Sequence, residues 1–343
     1  MWKISARDLQ FRLRRFLIAI AVTGLVFAIA VAIDGIKQTI GSEPASLVRS
    51  FSADVWVVPE GSTGVFTTTA LLPAGVVDEL RATPGVVSAE PVVAAYTTIT
   101  GDERRNANVI GFDLDAGSHR LTEGRAARAI DEAVIGGGLD LDLGERLDTT
   151  SGSFTVVGRL DGLRYNGGTP TVVLSVEGAQ RALLGGLDVV MGVAVQGTPA
   201  TLPVGSATTT NELAIADLRL TLESASSTID FVAFLTWLIA AGVIGAIVYL
   251  TAIERSRDFA VLRATGSPNR LIVGGLMIQS LFVSVVSAAI AVPIASVLRA
   301  GMPMPVTLSG GSVVRIILVG IVVGVIASLA AVRRALTTDP ALA

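Results

Sequence analysis

Four transmembrane α-helices, with a large extracytoplasmic α/β domain inserted between the first and the second, are expected from this sequence of 343 residues. Three features point there. Hydrophobic residues make up 51% of the chain and charged residues only 16%, where a soluble domain carries about 25% charged residues; the mean hydropathy is +0.66. The apolar residues gather in four runs, at 16–33, 231–253, 271–298 and 313–332. At about 1.5 Å rise per residue, roughly 18–20 residues cross a hydrocarbon core of about 30 Å, so each run is long enough to span. Charge is segregated as well: residues 34–230 hold 25 Asp/Glu against 13 Lys/Arg, and the rest of the chain holds 4 against 13.

Residue counts exclude several kinds of chemistry. A net charge of −3 leaves no basic footprint for nucleic acid. The absence of cysteine and the single histidine, His119, rule out Cys-ligated zinc, disulfides and Cys–His nucleophiles. Lysine occurs only at Lys3 and Lys37, neither of them after a glycine, so no phosphate-binding-loop lysine is present. The nucleophile elbow, the H-E-x-x-H pair and a dinucleotide-binding glycine turn are also absent. A non-catalytic chain with no cofactor or metal of its own is expected, and any ATP hydrolysis belongs to another chain.

Residues 1–15 place Trp2, Ala6, Leu9 and Leu13 on one helical face, continued by Phe16, opposite Lys3 and the arginines. A basic amphipathic helix lying in the surface of the membrane lipid follows. The first run, 16–33, has 18 uncharged residues. The apolar region of a cleaved signal peptide has about 7–15, so this run is expected to stay as a span. Positive residues beside spans remain cytoplasmic. Lys3, Arg7, Arg12, Arg14 and Arg15 precede the first run, four arginines occupy 254–270, and Arg333 and Arg334 follow the last run. Both termini, the 254–270 loop and the tail 333–343 are therefore cytoplasmic, while 34–230 and the short loop 299–312 lie outside. Intramembrane charge, the mark of an ion path, is missing from the cores of the runs. Arg315 sits near the start of the fourth. Gln279 in the third run suits an interhelical hydrogen bond, and Gly320 and Gly324 form a candidate dimer contact through close helix approach.

In the external segment, residues 54–58 alternate like a strand, and Pro73 opens a predicted helix with Val76, Val77 and Leu80 on one face, ending at Pro84-Gly85. Strands are predicted at 86–93, with Pro91 at an edge or bulge, and at 96–100, 108–111, 132–135, 154–157, 171–174 and 189–195. Helices are predicted at 176–184 and at 208–226, the latter running into the second span. The acidic pairs Asp113/Asp115 and Asp140/Asp142, with Glu145 and Asp148, lack the third ligand of a calcium loop. His119, on a polar loop, reads as a solvated side chain.

The loop 254–270 carries the strongest signal. Residues 254–264 suit a short helix with Phe259, Leu262 and Arg263 as neighbours, Gly266 as its C-terminal stop and Pro268 forbidding continuation. An apolar ridge of Phe259, Val261 and Leu262, flanked by Arg255, Arg257, Asp258 and Arg263, suits docking in a groove of a cytosolic protein. A solvated connector at the headgroups is the plainer alternative.

The run from Glu254 through Arg255, Arg257, Asp258, Leu262, Arg263 and Gly266 (ERSRDFAVLRATGS) resembles the coupling segment of ABC-transporter permeases of the FtsX-like/MacB-like family, DevC-type members included. Asp258 stands where a glutamate is usual, and Thr265 where an apolar residue is. The tail from Val332 (VRRALTTDPAL) is similar to the family's terminal motif, and Leu80, Pro84, Gly85, Val86 and Pro91 echo its external domain. The resemblance implies a bacterial plasma (inner) membrane permease with a MacB-like periplasmic domain. It also implies a homodimer working with two copies of an ABC ATPase subunit, which would hold the ATP and Mg. In that family this helix contacts the ATPase, so Glu254, Arg255, Arg257, Asp258, Phe259, Val261, Leu262, Arg263 and Gly266 are the implied coupling residues. The function implied is the coupling of ATP hydrolysis to movement of the external domain, for export or mechanotransmission. The alternative is an FtsX-type regulator of an extracytoplasmic cell-wall hydrolase, and a periplasmic or cell-wall partner stays open under either.

Overall fold

The computed structural model describes residues 13–100, 104–115, 119, 121–161, 163–164, 166–254, 261, 269–302, 310–315, 317–319, 321–322 and 326. The chain divides into two compact units: Thr39–Ser226, called the external unit after the expectation above, and Met1–Gln38 with Ser227–Ala343, called the membrane unit.

Within the external unit, alternation of apolar side chains decides the layering. Trp56 and Val58 of β1 (Val55–Pro59) join one apolar cluster, and Val57 joins the other. Ile110 against Val109 of β4 (Arg105–Gly111) and Val173 against Val172 and Leu174 of β9 (Thr171–Leu174) divide in the same way. Successive side chains on a strand point to opposite faces, so this sheet is buried on both sides. Its order is β12-β1-β11-β3-β4-β9-β6-β8-β5, with β7 against β3 and β8. The other strands are β2 (Leu72–Pro73), β3 (Val86–Ile99), β5 (Leu121–Gly124), β6 (Glu132–Gly136), β7 (Arg146–Thr149), β8 (Gly152–Leu160), β10 (Val189–Val190), β11 (Gly192–Gly197) and β12 (Ser206–Thr209). Pairs β4–β9 and β6–β8 are parallel; the remainder are antiparallel. The end of α1 (Leu13–Ser50) and α4 (Asn211–Thr221) supply Leu47, Val48, Ile215 and Leu218 to one cluster. Helices α2 (Val76–Ala82) and α3 (Val176–Leu184) supply Val76, Leu80 and Ala179 to the other.

Several expectations are corrected. The predicted strands 86–93 and 96–100 are one strand, β3, because the intervening alanines stay in the ladder: Val86–Val92 pairs with β11 and Val93–Ile99 with β4. Pro91 lies in the half of β3 paired with β11, opposite Val193. The predicted strand 189–195 divides at Met191 into β10, which pairs with β2, and β11. A Cβ at Gly192 would stand 2.5 Å from Val65 Cγ2 and 3.1 Å from the Val57 carbonyl oxygen, which explains glycine at that point. Pro73 belongs to β2 rather than to a helix, and α2 starts three residues later behind Gly75. The predicted helix 208–226 is a strand and two helices. Residues up to Thr209 pair with β1 as β12, Thr210 caps α4 by accepting from the Leu213 amide, and Leu222 (φ −96°, ψ 0°) separates α4 from α5. Short polar β5 and β7 have no hydrophobic alternation to betray them. Helix α3 has the predicted bounds, capped by the Ser175 hydroxyl and stopped by Gly185 at φ 66°.

In the membrane unit, α1 is followed by α5 (Glu223–Glu254), α6 (Asn269–Ala300) and a shorter apolar helix α7 (Gly310–Val319). Among the described residues three stretches have the length and composition to cross a membrane: Ile20–Ser50, Glu223–Ile247 and Leu281–Ala300. The fourth predicted run, 313–332, is described only in part, as the end of α7. Phe27, Ala28 and Val31 of α1 pack with Ala240 and Ile244 of α5 and Ala288, Ala291 and Ala295 of α6. Small residues let helix backbones approach where lipid provides no hydrophobic drive between helices. The Ser287 hydroxyl donates to the Ile20 carbonyl across this core at 3.3 Å. Gln279 lies within α6, its side chain outside what is described.

Candidate functional site

Of the predicted coupling residues, Glu254 closes α5 and is exposed, and Val261 is helical and 65% exposed. Arg255, Arg257, Asp258, Phe259, Leu262, Arg263 and Gly266 lie outside the described residues, as do Gly320, Gly324, residues 1–12 and the tail 327–343.

Helix α1 links the membrane unit to the external core by covalent continuity. Of its 38 residues, 34–50 follow the apolar run and extend it by about 25 Å at 1.5 Å per residue. The surplus ends inside the external unit: Leu47 and Val48 are at most 1% exposed, and Phe51 immediately follows. Phe51 is surrounded by Trp56, Phe66, Phe112 and His119 at ring-centroid distances of 4.9–5.7 Å. Edge-on and tilted ring packing of this kind adds about 0.5–1.5 kcal/mol per pair beyond buried area.

Polar ties fix the same region. Asn211 at the start of α4 accepts from the Trp56 indole N–H at 2.8 Å and donates to the Ala53 carbonyl at 2.8 Å. One side chain thus joins the chain leaving α1 to the helix that leads into α5. Glu43 on α1 accepts the amides of Gly167 (2.9 Å) and Gly168 (3.2 Å). Asn166, Gly167 and Gly168 all have positive φ, so successive N–H groups turn toward one acceptor. Asp217 of α4 accepts from the hydroxyls of Thr63 (2.6 Å) and Thr67.

His119 is not the solvated side chain expected. Its ring packs on Phe51 and Phe112, Nε2 lies 2.9 Å from the Ser50 hydroxyl, and Nδ1 is buried. Burial pulls its pKa down to about 4. Pattern reading misses it because the packing partners are far off in sequence.

The acidic pairs serve local structure. Glu145 accepts the Asp142 amide at 2.8 Å, Asp148 accepts from Arg146 and Ser153, and Asp142 pairs with Arg159. Among the described residues no group of three or more His, Asp or Glu could hold a metal. Glu132, gripped by the Arg125 guanidinium and by the amides of Arg128 and Ala129, is held down at about 2.

At the junction of α1 with the apolar bundle, the Arg315 guanidinium donates to Asp34 at 2.8 Å, Ser312 also donates to Asp34, and Lys37 pairs with Asp230 at 2.6 Å. Arg315 is visible in the sequence as a charge at a span end; its partner is not.

Residues 231–340 match the FtsX-like permease C-terminal family. An uncharacterized ABC transporter permease of Mycobacterium tuberculosis (strain ATCC 25618 / H37Rv) is 33% identical over 341 residues, 99% of this chain and 98% of the relative. A second uncharacterized ABC transporter permease of the same strain is 34% identical over the same shares. Among solved structures, the periplasmic region of MacB from Actinobacillus actinomycetemcomitans is similar at a TM-score of 0.38 and 12% identity, over 51% of this chain and 95% of that one.

Proposed function

The chain belongs to the ABC transporter permeases, and from that membership we propose that it is the membrane subunit that relays the work of a separate ATPase to its own external unit, for export or mechanotransmission. Two copies of the chain work with two ATPase subunits, which bind the ATP and Mg. Four spans place both termini, and the coupling residues Glu254 to Gly266, on the ATPase side of a bacterial plasma membrane. The ATPase presses on the ridge of Phe259, Val261 and Leu262, and the displacement reaches the external unit through the helices on either side of the bundle.

One observation supports this reading above the others: α1 is a single helix from Leu13 to Ser50, and its last turns are buried among the core residues of the external unit. A flexible tether would serve a passive anchor equally well. The missing phosphate-binding lysine requires a partner ATPase for any ATP-driven step. No observation favours the hydrolase-regulator alternative.

Co-expression with the ATPase tests the reading. The wild-type chain retains the ATPase through purification and stimulates it, and Phe259→Ala and Leu262→Glu each lose it. Normal assembly and stimulation by both variants would overturn the coupling assignment.

A further inference from the structure

Asp34 is 5% exposed, and among the described residues of the membrane unit it is the one buried carboxylate. It ends the first apolar run, yet both its oxygens are taken by α7. The buried Ser312 hydroxyl donates to Oδ2, and Nη1 of Arg315, whose side chain is itself about half exposed, donates to Oδ1 at 2.8 Å. One turn further along α1, Lys37 pairs with Asp230 of α5 at 2.6 Å, and both of those side chains are about half exposed. The two contacts differ in kind. An exposed ion pair has little net strength, because water and salt replace either partner. A buried carboxylate that loses its donors is left as an uncompensated charge in a poorly solvated place, which strongly opposes separation.

We propose that Asp34 is a positioning residue that clamps α1 to α7 so that the two helices move as one body, while the Lys37–Asp230 contact opens and lets α5 shift against α1 during the coupling cycle. The proposal rests on the coupling function above and adds which helices move together. It accounts for a buried acid at a span end, and for the contrast between a carboxylate that is buried and one that is half exposed in contacts a turn apart on the same helix.

The chain contains no cysteine, so introduced thiols have no background. In the full permease–ATPase complex in nanodiscs, the pairs D34C/S312C and K37C/D230C are each bridged by a methanethiosulfonate cross-linker of matching length and released with reductant. Movement is read as the ATP-dependent change in amide hydrogen exchange of the external unit, set against the ATPase rate. With the thiols free, D34C/S312C loses about five-fold or more of that change while hydrolysis continues, and bridging restores it. Bridged K37C/D230C loses about as much, and release restores it. The isosteric Asp34→Asn behaves as the unbridged D34C/S312C pair, which separates loss of the charge from loss of shape. A bridge at 34/312 that blocks movement, a bridge at 37/230 that leaves it intact, or wild-type coupling in Asp34→Asn overturns the clamp while the coupling function stands. A wild-type complex with no ATP-dependent exchange overturns the coupling function itself, and the clamp with it.

Discussion

His119 makes the acid stability of the external unit predictable. The folded ring has its pKa lowered to about 4 by burial, from an ordinary value of 6.5. The unfolded chain therefore takes up the proton first as pH falls. The stabilisation is complete above 6.5 and is lost as pH falls through 4. With about 1.36 kcal/mol per pKa unit, linkage gives roughly 2 kcal/mol lost at pH 5, and about 1 kcal/mol once solvent screening of a half-buried ring is allowed for. Because the chain has one histidine, a sample labelled at histidine and purified through a histidine-free tag gives one titrating NMR resonance, with its midpoint near the folded value. Thermal unfolding at pH 7.5 and pH 5 supplies the energetic half: the wild type loses more stability on acidification than His119→Phe, which fills the same aromatic nest without a proton to bind. A midpoint at 6.5 or above, or equal acid sensitivity in His119→Phe, would refute the reasoning from burial.

Other substitutions probe separate parts of the scaffold. Leu47→Ala removes a side chain 1% exposed where α1 enters the external core, so a cost of about 3 kcal/mol and a melting temperature lower by about 5–10 °C are expected by calorimetry. Gly192→Ala sets a methyl against Val65 and the Val57 carbonyl; it destabilises by about 1–3 kcal/mol, and a double-mutant cycle with Val65→Ala shows the two losses to be less than additive. Glu132→Gln weakens the bidentate grip of Arg125 and costs about 1 kcal/mol at neutral pH, a difference that shrinks below pH 4.5 as the wild-type carboxylate is protonated on the way to its value of about 2.

The membrane helices are the most legible part of the chain, because a long uncharged run has few uses outside a lipid bilayer. The strands buried on both faces are legible as places but not as lengths. Runs such as Val172-Val173-Leu174 announce a two-sided core, whereas Ala94-Ala95 in β3 carries no strand signal and reads as a break. Ser206–Thr209 has helix-compatible neighbours and no large apolar residue, so only the ladder to β1 identifies it as a strand. The polar network is the least visible. Trp56 meets Asn211 across 155 positions, Glu43 meets Gly167 across 124, and Asp34 meets Ser312 across 278. Hydrogen bonds of such separation leave no period in the sequence. The motif at 254–270 is the opposite case, because its residues are contiguous and its resemblance is readable without any tertiary contact.

The two connections that leave the external unit differ in local structure. Helix α1 passes from one unit into the other without interruption, and near its external end it is held by buried leucine, by aromatic packing and by the Glu43 carboxylate. Pro44 lies inside this helix and has no amide hydrogen to donate to its turn. The other connection is broken at Leu222, where φ of −96° and ψ of 0° end α4 one residue before α5 begins. Its amide returns to the Arg219 carbonyl at 3.1 Å, closing α4, and its own carbonyl accepts from Ser226 at 2.8 Å in the next helix. Leu222 stays in the right-handed helical region, and the hydrogen bonds of the chain remain satisfied across the interruption.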